Sequence, residues 1–267
     1  MLSWIDSHAH LDFDRFDDDR DQVISRALAR GVSRMISIGT RLESIRRAID
    51  LAERYPDIIY ATAGFHPLYL KDDHAEGWAD LEELLMHPRV VGVGETGLDY
   101  YYESTEPAQQ RASFKKHIHL SQQLNKPLII HIRDAFDDAL SMIEEAGGTK
   151  GIVHCFTGGP EECQRALDLG LFISISGIAT FKSAQELREA IPLIPKDRLL
   201  IETDSPFLAP HPHRGMRNEP SFVVDTAHCV AELRGETLEE LAELTIRNTL
   251  EIFSLPPNHD SKGETHR

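Results

Sequence analysis

Cysteine is scarce in this chain: three residues in 267, Cys155, Cys163 and Cys229. The number is odd and no CxxC pair occurs, which excludes a disulfide framework and a cysteine-based zinc knuckle. Read as reduced thiols, they place the expected location in the cytoplasm. Positive charge is also short, with 28 Lys and Arg against 44 Asp and Glu and a formal net charge of −16. That is a poor footprint for tight nonspecific duplex binding, which rests on a basic surface. It leaves nucleic acid open as a substrate, because bound divalent cations reverse a potential locally. No apolar run approaches the ~20 residues that span a bilayer. The first residues carry no basic-plus-apolar leader, since Asp6 interrupts them early. Low-complexity stretches and sequence repeats are missing too.

What is present is an alternation. Apolar runs of strand length fall at 3–11, 34–40, 58–65, 89–96, 127–133, 151–156, 171–176 and 198–204. They are rich in Ile, Val and Leu, as parallel strands covered on both faces should be. Helical patterns lie between and after them, at 18–30, 42–54, 77–86, 107–124, 134–146, 160–169, 183–191, 221–234 and 237–252. Gly31 is an expected C-cap of the first, and Ser104 and Thr237 are expected caps of the fourth and last. Eight β-then-α units predict an α/β fold of the (β/α)8 TIM-type barrel, one domain over 1–255. A doubly wound open sheet is the runner-up. The polar tail at 256–267 is expected to be disordered.

In such a barrel the chemistry sits at the carboxyl ends of the strands. The first run carries His8 and His10, two residues apart, which in an extended chain project to one face. His66 follows the third run, Glu95 ends the fourth, His131 ends the fifth, His154 the sixth and Asp204 the eighth. Singly, each has a bland explanation as a hydrogen-bonded or turn-capping residue. Together they fall at one end of successive strands, which scattered structural groups have no reason to do. Four imidazoles, His8, His10, His131 and His154, with the carboxylates Glu95 and Asp204, exceed one tetrahedral shell. They suit two divalent ions, one held by His8, His10 and Asp204, the other by His131 and His154, bridged by Glu95.

The motifs DSHAHLD (6–12), GFHP (64–67), GETGLDYYY (94–102), NKPLIIHIRDA (125–135), GIVHCFTG (151–158), SISGIATFK (174–182) and ETDSPFLAP (202–210) resemble those of the TatD-family metal-dependent deoxyribonucleases, within the amidohydrolase-like barrels. The similarity runs from about residue 3 to 253 and is greatest to the YcfH-like branch. The resemblance implies the same six metal ligands and puts His66 in the substrate pocket. The family pattern after that His-Pro often continues with His or Leu, and Leu68 stands here.

The expected reaction is hydrolysis of a DNA phosphodiester, single-stranded and by 3′-5′ exonuclease action. Asp204 and Glu95 are the expected catalytic residues, Asp204 both ligating and taking the proton of a metal-activated water. Arg133, two residues past His131, is expected to grip phosphate; its bland alternative is an ion pair with Asp134 or Asp137. Arg214 and Arg217, with Asn218, form a basic loop after the eighth run that either tracks a nucleotide backbone or is merely solvated. Tyr100, Tyr101 and Tyr102 are candidates for stacking on bases, with at least one expected to pack between helices. Zinc or manganese suits an imidazole-rich shell better than magnesium, which the family is described as using. The alternative function is an amidohydrolase or esterase such as an aminoacyl-tRNA deacylase, since the same centre attacks carbonyl carbon. A third reading, a non-catalytic partner protein, fits poorly with a complete ligand set. No membrane and no obligate protein partner are expected.

Overall fold

The computed structural model of the chain describes residues 2–72 and 74–257. Eight strands, β1 (Trp4–Ala9), β2 (Val32–Gly39), β3 (Ile59–Ala63), β4 (Val90–Asp99), β5 (Leu128–Arg133), β6 (Gly151–Val153), β7 (Phe172–Ile175) and β8 (Leu199–Ile201), pair in sequence order and all in parallel. Helices α1 (Arg20–Ala29), α2 (Leu42–Arg54), α3 (Ala75–Leu85), α4 (Pro107–Leu124), α5 (Phe136–Glu145), α6 (Pro160–Asp168) and α7 (Gln185–Ala190) connect them. Two more, α8 (Val223–Arg234) and α9 (Leu238–Ile252), follow the last strand. This is the (β/α)8 barrel that the alternation predicts; the open sheet is excluded by the seam between β8 and β1. There Ala9 bridges Ser205, the Asp204 N–H donates to the His8 carbonyl at 2.9 Å and the His10 N–H to that of Ser205 at 2.7 Å. Side chains reinforce this seam. Asp6 accepts from the Thr203 hydroxyl at 2.6 Å and from its N–H at 2.9 Å, and Ser7 donates to the Ile201 carbonyl at 2.9 Å.

The barrel interior is zoned along the strands. Near their amino ends Ile36, Tyr60, Ile129, Ile152, Phe172 and Leu200 form a buried apolar cluster, closed by Phe253 and Leu255 from beyond α9. Each such aliphatic or aromatic side chain contributes about 1.5–3 kcal/mol by leaving water. Two positions further on, the same alternation brings Thr62, His131, Ser174 and Glu202 to the inward face. The apolar floor thus gives way to a polar mouth. A second, larger apolar layer, including Met35, Ile59, Ile130, Val153 and Ile173, seals the strands against the helices.

Several boundaries differ from the sequence expectation. β4 does not end at Glu95: it runs on to Asp99, pairing Gly97 with His131 and Asp99 with Arg133 after an irregular step between Val93 and Thr96. Glu95 falls in that step. Gly97 makes the continuation possible, since it adopts φ +140° and an added Cβ would lie 2.0 Å from the His131 carbonyl oxygen. β6 and β8 stop at Val153 and Ile201, so His154 and Asp204 stand on the loops just beyond them. Ser104 does not cap α4; Glu106 stands at the N-cap position without a side-chain capping bond, and Pro107 fixes the first turn. Thr237 caps α9 as expected, in a reciprocal pair with Glu240. Gly31, at φ +88°, turns the chain out of α1 one residue past its cap. Of the expected polar tail, residues 258–267 lie outside the described residues, while the Pro256 carbonyl accepts from Arg34 at 2.6 Å.

Candidate metal centre

Glu95 is the hub of the mouth. It is buried, and its Oε2 lies 3.5 Å from His8 Nε2 and 3.6 Å from His10 Nε2. Its Oε1 lies 2.8 Å from His154 Nε2, 3.2 Å from His131 Nδ1 and 3.2 Å from His66 Nε2. Asp204 joins the first group, with Oδ1 3.3 Å from His10 Nε2 and 3.6 Å from His8 Nε2. Its backbone stands at φ +56°, a left-handed geometry costly for a residue with a Cβ, and one that clusters at functional sites. The structure therefore brings together all six expected ligands, five from strand ends and loops scattered from residue 8 to residue 204 around one carboxylate.

The donor set fits divalent cations. Both ring nitrogens of His8, Nδ1 of His10 and Oε2 of Glu95 are buried without a hydrogen-bond partner among the described residues. Unpaired buried polar atoms of this kind are expensive unless something absent from the chain pairs them. Ligand atoms of His8, His10 and Glu95 lie within 4.8 Å of one another, as do those of His8, His154 and Glu202 and those of His66, Glu95 and His131. Protonation directions divide the centre. Burial opposes charge on every group, yet the surrounding histidines hold Glu95 well below the usual carboxylate range, and His10 with His8 holds Asp204 down. Against the same burial penalty, the carboxylates lift His10 to about 9 and raise His131 and His154. Burial first, with His154 next, lowers His8, and burial lowers His66.

Ring tautomers separate the histidines. The Leu68 N–H donates to His66 Nδ1 at 3.1 Å, so the ring proton is on Nε2, where it donates toward Glu95. His66 is thus a proton-bearing wall of the centre. His131 has the opposite arrangement: Nε2 faces Asp99 Oδ2 at 2.9 Å, leaving Nδ1 to face the centre. Glu202 stands 3.4 Å behind His154 Nδ1 and accepts from the Cys155 N–H at 2.7 Å. Sequence reading assigned no role to Asp99 or Glu202. Their signal was spacing: Asp99 is four positions past Glu95 and Glu202 two before Asp204, the even steps of an extended chain. Carboxylates behind ligating histidines orient the ring and raise its basicity. Beside them, burial first and the neighbouring carboxylates next push the Cys155 thiol well up, which disfavours the thiolate.

The expected substrate residues are more dispersed. Arg133 is exposed and lies over the rings of Tyr101 and Tyr102, pairing with neither Asp134 nor Asp137; Asp137 takes Arg165 instead. Arg214 is exposed and stacks on Phe181, its guanidinium carbon 3.7 Å from the ring centroid. Arg217 pairs with Asp19 at 2.7 Å, and Asn218 is buried, donating to the Thr203 carbonyl at 2.9 Å; both serve the fold. Tyr100 packs on the core and donates to Asp138 at 2.7 Å, so it is the tyrosine of the three that is structural.

Together these features define a parallel (β/α)8 barrel with a histidine–carboxylate centre of metal-binding type at its mouth. The chain belongs to the TatD-related DNase family, whose model matches residues 5–254. It is 42% identical over 256 residues to the uncharacterized metal-dependent hydrolase YcfH of Escherichia coli K12, covering 94% of this chain and 96% of that one. It is 38% identical over 257 residues to the 3′-5′ ssDNA/RNA exonuclease TatD of Erwinia tasmaniensis, covering 94% and 99%. Among solved structures, the TatD homolog YjjV of Escherichia coli K12 superposes with a TM-score of 0.90 at 30% identity, covering 95% of this chain and 98% of that one.

Proposed function

We propose that the protein is a divalent-metal-dependent hydrolase that cleaves phosphodiester bonds of single-stranded DNA from the 3′ end, acting in the cytoplasm. The observation that carries this reading is Glu95, one carboxylate with Oε2 turned to His8 and His10 and Oε1 to His131 and His154. In this reading His8, His10 and Asp204 would hold one ion and His131 and His154 the other, with Glu95 shared between them. Zinc, manganese and magnesium are the candidate ions. When bound, paired cations of this kind lower the pKa of water and offset charge on a phosphoryl group. Asp204, whose side chain is 13% exposed, is the proton acceptor within reach of solvent. Glu95 holds the two halves of the centre in register. His66 donates its Nε2 proton to a phosphate or leaving-group oxygen. Arg133 and Arg214 supply exposed guanidinium donors in an otherwise acidic chain. The exonuclease name of the Erwinia relative supports the substrate class. No helix among the described residues is long and apolar enough to cross a membrane.

The test is a metal-reconstitution assay. Protein stripped with chelator is supplied with each ion in turn and offered single-stranded DNA, duplex DNA, RNA and an aminoacyl-tRNA. Metal-restored cleavage of single-stranded DNA, lost in Asp204→Asn, is the expected result. Turnover of the aminoacyl ester alone would replace the nuclease with a deacylase.

A further inference from the structure

The loop after β4 exposes two tyrosines, Tyr101 at 55% and Tyr102 at 48%. Their rings meet edge to face at 4.8 Å. Arg133, at the end of β5 and two positions past His131, lays its guanidinium 3.9 Å from the Tyr101 centroid and 5.2 Å from that of Tyr102. Among the described residues no carboxylate claims this arginine; Asp138 is taken by Arg111 and Tyr100, and Asp137 by Arg165. Stacking holds the guanidinium plane while leaving its N–H edge unspent. The base of this cluster is pinned. Asp99, buried, accepts from the Tyr101 N–H at 3.1 Å and the Tyr102 N–H at 3.0 Å with Oδ1, while Oδ2 faces His131. A single carboxylate therefore fixes both the aromatic loop and a histidine of the centre. Nothing in the packing requires two half-exposed aromatic rings here, and exposed apolar surface at a site rim marks a binding surface.

We infer that Tyr101, Tyr102 and Arg133 form a stacking subsite for one unpaired nucleobase beside the scissile phosphodiester. This rests on the nuclease reading above and deepens it by naming what selects the substrate. A nucleobase offers a flat π-face, which aromatic side chains and a guanidinium both bind, with little regard to sequence. In a duplex both faces of the base are already covered by its neighbours, so the platform favours a frayed or single-stranded end. The free N–H edge of Arg133 lies ready for the phosphate flanking that base.

The metal-loaded protein is compared with Tyr101→Ala/Tyr102→Ala on three probes. These are a short single-stranded oligonucleotide, the same oligonucleotide with an abasic residue placed at each position near the 3′ end in turn, and a minimal alkyl phosphodiester lacking a base. A fourth probe carries 2-aminopurine near the 3′ end, and its fluorescence reports stacking on mixing. The variant is expected to raise KM for the normal oligonucleotide about tenfold with kcat held, and to lose the 2-aminopurine quench. One abasic position should reproduce that KM increase in the unmodified protein and add nothing in the variant; Tyr101→Phe/Tyr102→Phe should restore normal KM. Equal losses on the base-free diester, or KM indifferent to every abasic position, would overturn the subsite and leave the tyrosines a structural role. If no phosphodiester is cleaved with any metal, the nuclease reading fails on its own. The 2-aminopurine quench then decides the subsite: present and lost in the variant it stands, absent it falls.

Discussion

His131 Nε2 lies 2.9 Å from Asp99 Oδ2, and the other nitrogen of the same ring lies 3.2 Å from Glu95 Oε1. The outer contact bears on the inner one: with Nε2–H donating to Asp99, Nδ1 is the nitrogen that faces the centre. Asp99→Asn keeps the oxygen that caps the Tyr101 and Tyr102 N–H groups but loses the charge behind His131. Metal affinity, measured by calorimetric titration, should weaken by about 10–100-fold while the circular dichroism spectrum is unchanged. Unaltered affinity would mean that the pair is only structural.

Glu95→Gln preserves shape and removes the charge shared by both halves of the mouth. Turnover should drop by about a thousandfold, the equivalent of several kcal/mol of lost charge stabilisation. The variant should also bind fewer ions per chain, which elemental analysis of the dialysed protein reads directly. Full stoichiometry in the variant would argue against a bridging role.

Removing metal should cost stability as well as activity. With free ion at a thousand times its Kd, binding to the folded state alone adds about 4 kcal/mol. The melting temperature should therefore fall on chelation and recover with zinc or manganese. A melting temperature indifferent to metal would mean that no ion is held by the native centre.

His117 supplies an acid-sensitive contact away from the ligands. It is buried on α4, accepts the Phe65 N–H at Nε2 at 3.0 Å, and contacts the Ser113 carbonyl through Nδ1 at 2.9 Å. Burial first, with Lys116 adding to it, outweighs the Ser113 contact and lowers its pKa from 6.5 to about 4. The folded state thus holds a neutral ring that the unfolded chain protonates more readily. Its contribution is complete above pH 6.5 and is lost as pH falls toward 4, up to about 3 kcal/mol. Urea unfolding across that window should steepen for the unmodified protein and flatten for His117→Gln. Parallel profiles for the two would refute the assignment.

Gly97→Ala should destabilise by at least ~2 kcal/mol, from positive φ and from collision with the His131 backbone. Gly148→Ala is the control: it also has positive φ, +82°, but nothing lies within 4 Å of the added carbon. It should cost only ~1 kcal/mol, and activity per folded molecule should survive there but not at Gly97. Equal behaviour of the two variants would remove the argument from close approach.

The barrel was legible because its periodicities are strong: runs of Ile, Val and Leu at strand length, separated by helical patterns. The centre was legible because its residues punctuate those runs at the same end. Less visible was the role of Asp99, which continues a strand that sequence ends at Thr96; only the pairing of Gly97 with His131 reveals the longer β4. Glu202 was hidden by its neighbour Asp204, since a carboxylate behind a ligand and a ligand look alike in one dimension. Arg217 looked as free as Arg214 until Asp19, nearly two hundred positions away, came to meet it.

The seam between β8 and β1 carries a consequence for biosynthesis. His8 and His10 leave the ribosome nearly two hundred residues ahead of Asp204, which is hydrogen-bonded through its backbone to His8. No nascent fragment that stops short of that segment can bring the six groups together. Translation must pass Asp204 before the six groups can meet.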